Sequence, residues 1–220
     1  MRKTALVLMS VLFCLTSMAA QVDEIFKKLD EKSEQFKTLQ YRTAYLDRDD
    51  NIIPGSESVT RMIRMNGRVL INHAAKIAMK DQTLEVEALI TPAGTYTKKK
   101  AGEFTQYDQN STSSSVYVGM VCHGMVLNDN ANFTYTVLPD EEERGMAMWV
   151  VEGIAKKKSA NPATPARVVW KFDKKSGLIV RTEAFNSENA RILRGRVHDI
   201  RIDEELNEAI FNPERFREKQ

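Results

Sequence analysis

The alternation of apolar and polar residues that begins after Leu39 and recurs almost to the end of the chain limits the fold more than any other feature. In residues 84–90, for example, apolar side chains at every second position alternate with Glu85 and Glu87. A period of two is typical of a strand with one buried face. Turn signals interrupt the alternation at intervals of roughly 10 to 14 residues. The sequence therefore predicts an antiparallel meander of about ten strands.

Short polar and glycine-containing segments separate these strands. Asn66-Gly67 is the strongest hairpin signal, and Asp140–Gly145 is predicted to be a charged turn. Residues 108–115 are small, polar and aperiodic, and are predicted to form a loop. The predicted strands are 41–45, 59–65, 69–79, 84–90, 95–99, 103–107, 133–138, 146–155, 166–172, 178–185 and 190–202.

The segment Val116–Leu127 (VYVGMVCHGMVL) fits two structures, a short helix packed on a sheet and a bent strand. It is apolar and contains two glycines, and it lacks the period-two alternation of its neighbours. Because it also follows the predicted loop, we favour a helix or an irregular structure.

One amphipathic helix of about five turns is predicted at the start of the mature chain. Its apolar residues recur at spacings of three, four and seven, with charged residues between them. The usual role of such a stripe is to cover a sheet; binding a partner or a membrane surface are the alternatives. The stripe consists of Val22, Ile25, Phe26, Leu29, Phe36 and Leu39.

The expected fold class is therefore α+β. A flat sheet of about ten strands would expose a whole apolar face, so we expect a strongly curved antiparallel sheet, or incomplete barrel. The N-terminal helix and a short internal helix would cover its concave face. Because so few helices fill so large a sheet only partly, we expect an apolar cavity between them.

Residues 1–20 have the pattern of a secretory signal peptide. Arg2 and Lys3 precede an apolar run, and small residues follow at Ser17, Ala19 and Ala20. The run is shorter than the roughly 20 residues that a spanning helix needs. A buried N-terminal helix is the alternative. We expect cleavage after residue 19 or 20, a single mature domain over residues 21–220, and a periplasmic or extracellular location.

A lipoprotein signal is disfavoured, since Phe13 occupies the position before Cys14 where a small residue is needed. The mature chain then keeps only Cys122 and has no internal disulfide. The chain has 32 basic and 30 acidic residues, and removing Arg2 and Lys3 leaves 30 of each. A neutral mature chain argues against nucleic-acid binding, which depends on excess positive charge.

No pattern of catalytic or metal-ligating residues stands out. His73, His123 and His198 lie in distant segments, and Cys122 is adjacent to His123, so no pair has a metal-ligand spacing. Glu85 and Glu87 lie on the same face of a strand and could act as paired carboxylates, but the simpler interpretation is that they mark its solvent-exposed face. No phosphate-binding glycine motif occurs. We therefore expect no enzymatic activity and no cofactor.

Two further features of the sequence, the basic triplets and the methionines, each allow two interpretations. Lys98–Lys100 and Lys156–Lys158 lie near strand ends, where they suit either anionic lipid headgroups or, more simply, the protection of edge strands. Ten methionines supply flexible apolar side chains, which suit either a cavity for varied apolar ligands or ordinary core packing.

The layout resembles the LolA/LolB superfamily of periplasmic lipoprotein carriers. The likeness rests on the helix and aromatic strand of Val22–Tyr45, the hairpin of Gly94–Asp108, the segment VVWKFDKKSGLIVRTEAF (Val168–Phe185), and the ending IRIDEELNEAIFNPERF. These segments touch most of the chain, although none is a sharp motif. The loop 108–115 and the triplet Lys156–Lys158 match no feature of that family.

The resemblance implies a carrier that holds lipoprotein acyl chains or other lipid in the cavity for transfer to the outer membrane. It also implies inner- and outer-membrane handling partners, no nucleic acid, and a monomer. Val116–Leu127 would be a lid, held closed by Arg61 or Arg64. A sensing or scaffold domain that binds a protein partner is the alternative, and a hydrolase is a third. The side chains expected to line the cavity are Phe26, Leu29, Phe36, Ile63, Met65, Met120, Met125, Met148 and Trp170.

Overall fold

The computed structural model describes residues 20–32, 34–78, 83–102, 104–109, 133–143, 145–157, 161–162 and 164–217. The leader predicted at residues 1–20 lies outside this set except for its last residue. The predicted internal helix, with Cys122 and His123, also lies outside it. Those predictions therefore stay predictions, as does that of a single mature domain.

The described residues form helix α1 (residues 20–32), eleven strands and two 3₁₀ turns, Glu208–Phe211 and Pro213–Phe216. The predicted antiparallel sheet is confirmed, with strand order β6-β5-β4-β3-β2-β1-β11-β10-β9-β8-β7. The strands are β1 (Thr38–Tyr45), β2 (Ser58–Met65), β3 (Arg68–Ala78), β4 (Thr83–Thr91), β5 (Gly94–Ala101), β6 (Phe104–Gln109), β7 (Phe133–Glu143), β8 (Met146–Ala155), β9 (Arg167–Asp173), β10 (Ile179–Phe185) and β11 (Arg191–Ile202).

The hairpin predicted at Asn66-Gly67 is confirmed. Both residues have positive φ, 51° and 71°, and Met65 on β2 pairs with Arg68 on β3. A two-residue turn with this backbone matches the right-handed twist of the strands that it joins. This turn sets the register of β2 against β3.

The N-terminal helix is shorter than predicted, because Leu39 belongs to β1. The fully buried Leu39 pairs with Met62 on β2 and with Ile202 on β11. Asp203 fixes the start of β1, since its Oδ1 accepts hydrogen bonds from the amides of Lys37 and Thr38 at 2.7 and 3.1 Å. Pairing on both sides of the strand therefore outweighs the helical spacing from Phe36 to Leu39.

The turn predicted at Asp140–Gly145 is shorter than expected: it includes Gly145, with φ 79°, but not the acidic residues before it. Strand β7 continues to Glu143, with an irregularity in its pairing between Leu138 and Glu141. Cations on other strands of the sheet stabilise these carboxylates: Lys171 on β9 lies 2.5 Å from Glu141, and Arg181 on β10 lies 3.1 Å from Glu143. The run of acidic residues therefore forms ion pairs along a strand.

Two compact units share the chain. Unit 1 takes its residues from Met1–Ser33 and Cys122–Leu193, and unit 2 from Glu34–Val121 and Arg194–Gln220. Within the described residues, no helix is long and apolar enough to cross a membrane.

In unit 1, α1 packs on the strands through its apolar stripe. Val22, Ile25 and Leu29 are buried, as the helical spacing predicts. At the end of the helix, Lys32 Nζ donates a hydrogen bond to the carbonyl of Lys175 at 2.9 Å. Gly177, with φ 74°, passes so close that a Cβ there would lie 3.0 Å from Lys32 Cβ. A turn without a side chain therefore lets the helix approach the sheet.

In unit 2, the two 3₁₀ turns after β11 cover part of the sheet. Phe211 and Phe216 are 4% exposed and pack with Ile63, Leu89 and Tyr96. Side-chain oxygens of asparagine cap both turns: Asn207 accepts from the amide of Ala209 and Asn212 from that of Glu214, each at 3.0 Å. The C-terminal residues therefore supply a cover for the sheet, whereas the sequence predicted one only from helices.

Candidate functional site

Four aromatic rings lie between α1 and the strands of unit 1, and we call them the aromatic cluster: Phe26, Phe133, Tyr135 and Trp170. Phe26 meets Tyr135 edge-on, with ring centroids 5.3 Å apart. Trp170 lies 6.0 Å from both Phe133 and Tyr135. These separations are in the favourable range for aromatic pairs.

Strand alternation places the rings of Phe133, Tyr135 and Trp170 on one face. Tyr135 pairs with Gly153, and Trp170 pairs with Val151, two residues away on β8. Directly opposed residues share a face of a sheet, and so do residues two apart on a strand. Trp170 is buried, whereas Phe26, Phe133 and Tyr135 are only half-buried. Apolar surface therefore remains accessible beside α1.

Gly153 makes this arrangement possible. A Cβ at this position would lie 2.7 Å from Cζ3 of Trp170 and 3.2 Å from Cδ1 of Phe133. The indole therefore lies directly over the glycine backbone.

Replacing Gly153 by alanine is expected to lower the free energy of unfolding by about 1–3 kcal/mol, because the new methyl group overpacks the cluster. Urea denaturation measures the change. In a Trp170→Phe background the same replacement should lower the free energy of unfolding by clearly less, since the phenyl ring lacks the outer indole atoms that the new methyl group would meet. Equal costs in the two backgrounds would contradict the contact, and this double-mutant cycle isolates it.

The structure brings together only some of the residues predicted to line a cavity. Phe26, Leu29 and Trp170 belong to unit 1, on α1 and the face beneath it. Met148 is 1% exposed, but it is three residues from Val151, so alternation turns its side chain to the other face of β8. Even within unit 1, the residues predicted to line the cavity therefore lie on two different faces of the sheet.

The remaining predicted residues lie elsewhere. Ile63 and Met65 pack under the C-terminal 3₁₀ turns of unit 2, and Phe36 is buried just beyond α1. Met120 and Met125 lie outside the described residues. The nine residues therefore do not form one cluster.

A cavity of about 580 Å³ lies in unit 2, and we call it the charged groove. Its lining includes none of the nine predicted residues. Strand register explains its position, because Arg42, Val59, Ala74, Glu87 and Lys98 pair in turn across β1 to β5 and so share one face. The lining residues are Arg42, Gly55, Glu57, Val59, Ala74, Ala75, Lys76, Glu85, Val86, Glu87, Lys98 and Lys100.

A chain of polar contacts crosses the same face beside the groove. Arg61 donates to Gln40 Oε1 at 2.9 Å and lies 3.4 Å from Asn72 Oδ1. Asn72, which is 1% exposed, donates in turn to Glu87 at 2.8 Å. Burial lowers the pKa of the Arg61 guanidinium, and the Glu87 carboxylate acts in the opposite direction. The contacts satisfy polar groups that would otherwise be buried at a cost.

The two arginines predicted to hold a lid have different surroundings. Arg61 is part of this polar chain. Arg64 donates from Nε to the carbonyl of Phe36 at 3.1 Å, in the segment that follows α1. The role predicted for either arginine stays a prediction.

The carboxylates Glu85 and Glu87 are engaged in structural contacts. Lys76 Nζ lies 2.9 Å from Glu85, and this hydrogen bond lowers the pKa of the carboxyl. Arg215, on the second 3₁₀ turn, lies 3.2 Å from Glu87. A general acid at neutral pH needs a raised pKa, so the surroundings of Glu85 do not suit that role. In the part of the chain that the structure describes, no group of three or more His, Cys, Asp or Glu could hold a metal ion.

Sequence reasoning missed several residues of the aromatic cluster and of the C-terminal cover. Phe133 and Tyr135 alternate with threonines, which is a signal for a strand with an aromatic face, but alternation does not show what that face contacts. Nothing in the sequence pointed to Gly153. The ring that packs on it belongs to Trp170, 17 residues later on another strand, and the contact can be recognised only once the register of the two strands is known.

Comparison with protein-family models found no match, and a search of curated proteins found none either. Among solved structures, an uncharacterized conserved protein from Thermus thermophilus is similar, with a TM-score of 0.51 and 10% identity over 86% of this chain and 91% of that one. A putative outer membrane lipoprotein-sorting protein domain from Vibrio parahaemolyticus has a TM-score of 0.46 and 13% identity over 88% and 97% of the two chains. The LolA superfamily protein NE2245 from Nitrosomonas europaea has a TM-score of 0.35 and 14% identity over 88% and 98%. At these identities the likeness concerns the fold alone.

Proposed function

We propose that the protein is a periplasmic carrier that binds acyl chains of lipoproteins or other lipids for transfer to the outer membrane. The observation that carries this proposal is the half-buried aromatic cluster beneath α1. Each buried methylene contributes about 0.8 kcal/mol, so a single acyl chain packed against these rings would bind well. Export by the N-terminal leader is part of the proposal.

Release of the cargo requires a second arrangement of the binding site, a few kcal/mol away from the first. Helix α1 suits this role, because it packs on the strands largely through apolar side chains. An acyl chain can replace such contacts, since they have no directional requirement. The proposal involves no catalytic residue.

Binding of a fluorescent fatty acid, and its displacement by a diacylated lipopeptide, test the proposal. We expect displacement by the lipopeptide and none by the same peptide without acyl chains. Phe26→Ala should weaken binding severalfold, whereas Ile53→Ala, at an exposed position of unit 2, should leave it unchanged. Failure of the wild-type protein to bind the fatty acid would contradict the proposal.

A non-catalytic sensing or scaffold domain is the second candidate. Two large apolar side chains favour it, Ile52 and Ile53, which are 40% and 42% exposed beside β1. Such residues are typical of surfaces that meet another protein. The double variant I52S/I53S distinguishes the candidates, because it should release a protein partner in the second case and retain acyl binding in the first.

A further inference from the structure

Two lysines of β5 face the charged groove. Lys98 and Lys100 are two residues apart, so their side chains leave the same face of the strand about 6.6 Å from each other. Lys99, between them, points to the opposite face. The pair belongs to the basic triplet Lys98–Lys100, which has no role in the proposed function.

The carboxylates opposite this pair are already engaged. Glu87 lies across from Lys98 and Glu85 across from Lys100. Yet Glu87 binds Asn72 and Arg215, and Glu85 binds Lys76. In the described residues, neither Lys98 nor Lys100 makes a direct ion-pair contact, although the charges of both help to lower the pKa of Glu85; Lys98 lies 5.7 Å from the ring centroid of Tyr107. The two ammonium groups are therefore available to an anion.

Two other charged residues of the groove also have close neighbours. Arg42 lies 3.3 Å from Asp199, and Glu57 lies 3.3 Å from the imidazole of His198. Between these pairs the lining has small or apolar residues, among them Gly55, Val59 and Ala74. A volume of about 580 Å³ is in the range of small-ligand sites.

We propose that Lys98 and Lys100 bind the phosphate group of a small ligand in the charged groove, whether a free phosphate ester or a phospholipid headgroup. A phosphate monoester carries more negative charge than a carboxylate, whereas the phosphodiester of a phospholipid headgroup carries a single charge. Both offer several acceptor oxygens, so either can accept hydrogen bonds from both lysines. The small residues leave room for the carbon atoms next to the phosphate. This site lies wholly within unit 2, and its test is independent of acyl binding beneath α1.

Nuclear magnetic resonance titration of ¹⁵N-labelled protein, produced with its own leader, tests the proposal. The probes are inorganic phosphate, glycerol 3-phosphate and a soluble short-chain phosphatidylglycerol. We expect saturable shifts of the β5 amides with at least one probe, and about tenfold weaker binding in K98Q/K100Q, because two charge-assisted contacts are lost. Saturation by glycerol 3-phosphate would identify a free ester, and saturation by the phospholipid alone would identify a headgroup.

Lys99→Gln is the matched control, since it removes the same charge from the same strand on the opposite face. It should bind the probe nearly as well as the wild-type protein. The proposal is overturned if no probe produces saturable shifts, if K99Q weakens binding as much as K98Q/K100Q, or if a short poly-glutamate peptide competes as well as the phosphate compounds. Glutamine retains most of the length of lysine, so each variant is expected to fold. The same spectra report whether it does.

Discussion

Replacing Phe211 by alanine is expected to lower the free energy of unfolding by about 3–5 kcal/mol, which is the usual cost of emptying a buried aromatic site. The ring is 4% exposed and packs with Ile63, Leu89 and Tyr96. The loss is large because Phe211 belongs to a buried cluster that includes residues of three separate strands. Denaturation in urea, followed by circular dichroism, measures it.

Phe211→Leu is the matched control, since it retains most of the apolar volume. It should cost less than about 1.5 kcal/mol. A loss below about 1 kcal/mol in the alanine variant would mean that the 3₁₀ turns contribute little to the core of unit 2.

Acidification is expected to destabilise the protein through His73. This side chain is 6% exposed, and burial lowers its pKa from 6.5 to about 4. Thr60 Oγ1 lies 2.9 Å from its Nδ1. Between pH 6.5 and 4 the unfolded chain binds a proton at this position that the folded chain does not, so stability rises with pH in this window and falls on acidification. The total loss contributed by His73 is about 3 kcal/mol.

Carboxylates with a lowered pKa, such as Glu85 and Asp47, also lose stabilising contacts on acidification, at lower pH. The contribution of His73 must therefore be measured by comparing the wild-type protein with variants that lack the histidine. The variants H73Q and H73N should each have a smaller decrease of unfolding free energy between pH 6.5 and 4 than the wild-type protein. The comparison concerns the slope, so any constant loss of stability in a variant does not affect it. Identical slopes in all three proteins would contradict a buried, neutral His73.

Local patterns were enough to predict the strands and most of their turns. Period-two alternation marks a strand wherever one face is buried, and Asn66-Gly67 specifies its turn through its own backbone preferences. The two errors at element boundaries have one cause. Leu39 pairs with Ile202, and Glu141, whose strand partner is Met148, forms an ion pair with Lys171; Ile202 and Lys171 lie far along the chain and do not enter a local pattern.

The candidate site was less predictable, because it depends on which strands become neighbours. Trp170 and Phe26 were predicted as cavity residues from their apolar character alone. Their contact through Tyr135 depends on α1 packing against β7, more than 100 residues away. The basic triplet Lys98–Lys100 was the local signal for the charged groove, since the rest of the lining occupies positions on several strands that look like an ordinary solvated face.

Quenching of tryptophan fluorescence by a brominated fatty acid tests the central claim most directly, because bromine quenches only on close approach. The chain has two tryptophans, so Trp149→Phe leaves Trp170 as the only reporter, and Trp170→Phe leaves Trp149 as its matched control. An acyl chain bound beneath α1 predicts saturable quenching of Trp170, stronger than that of Trp149. Quenching that does not saturate, or that is equal at the two tryptophans, would contradict an acyl site at the aromatic cluster.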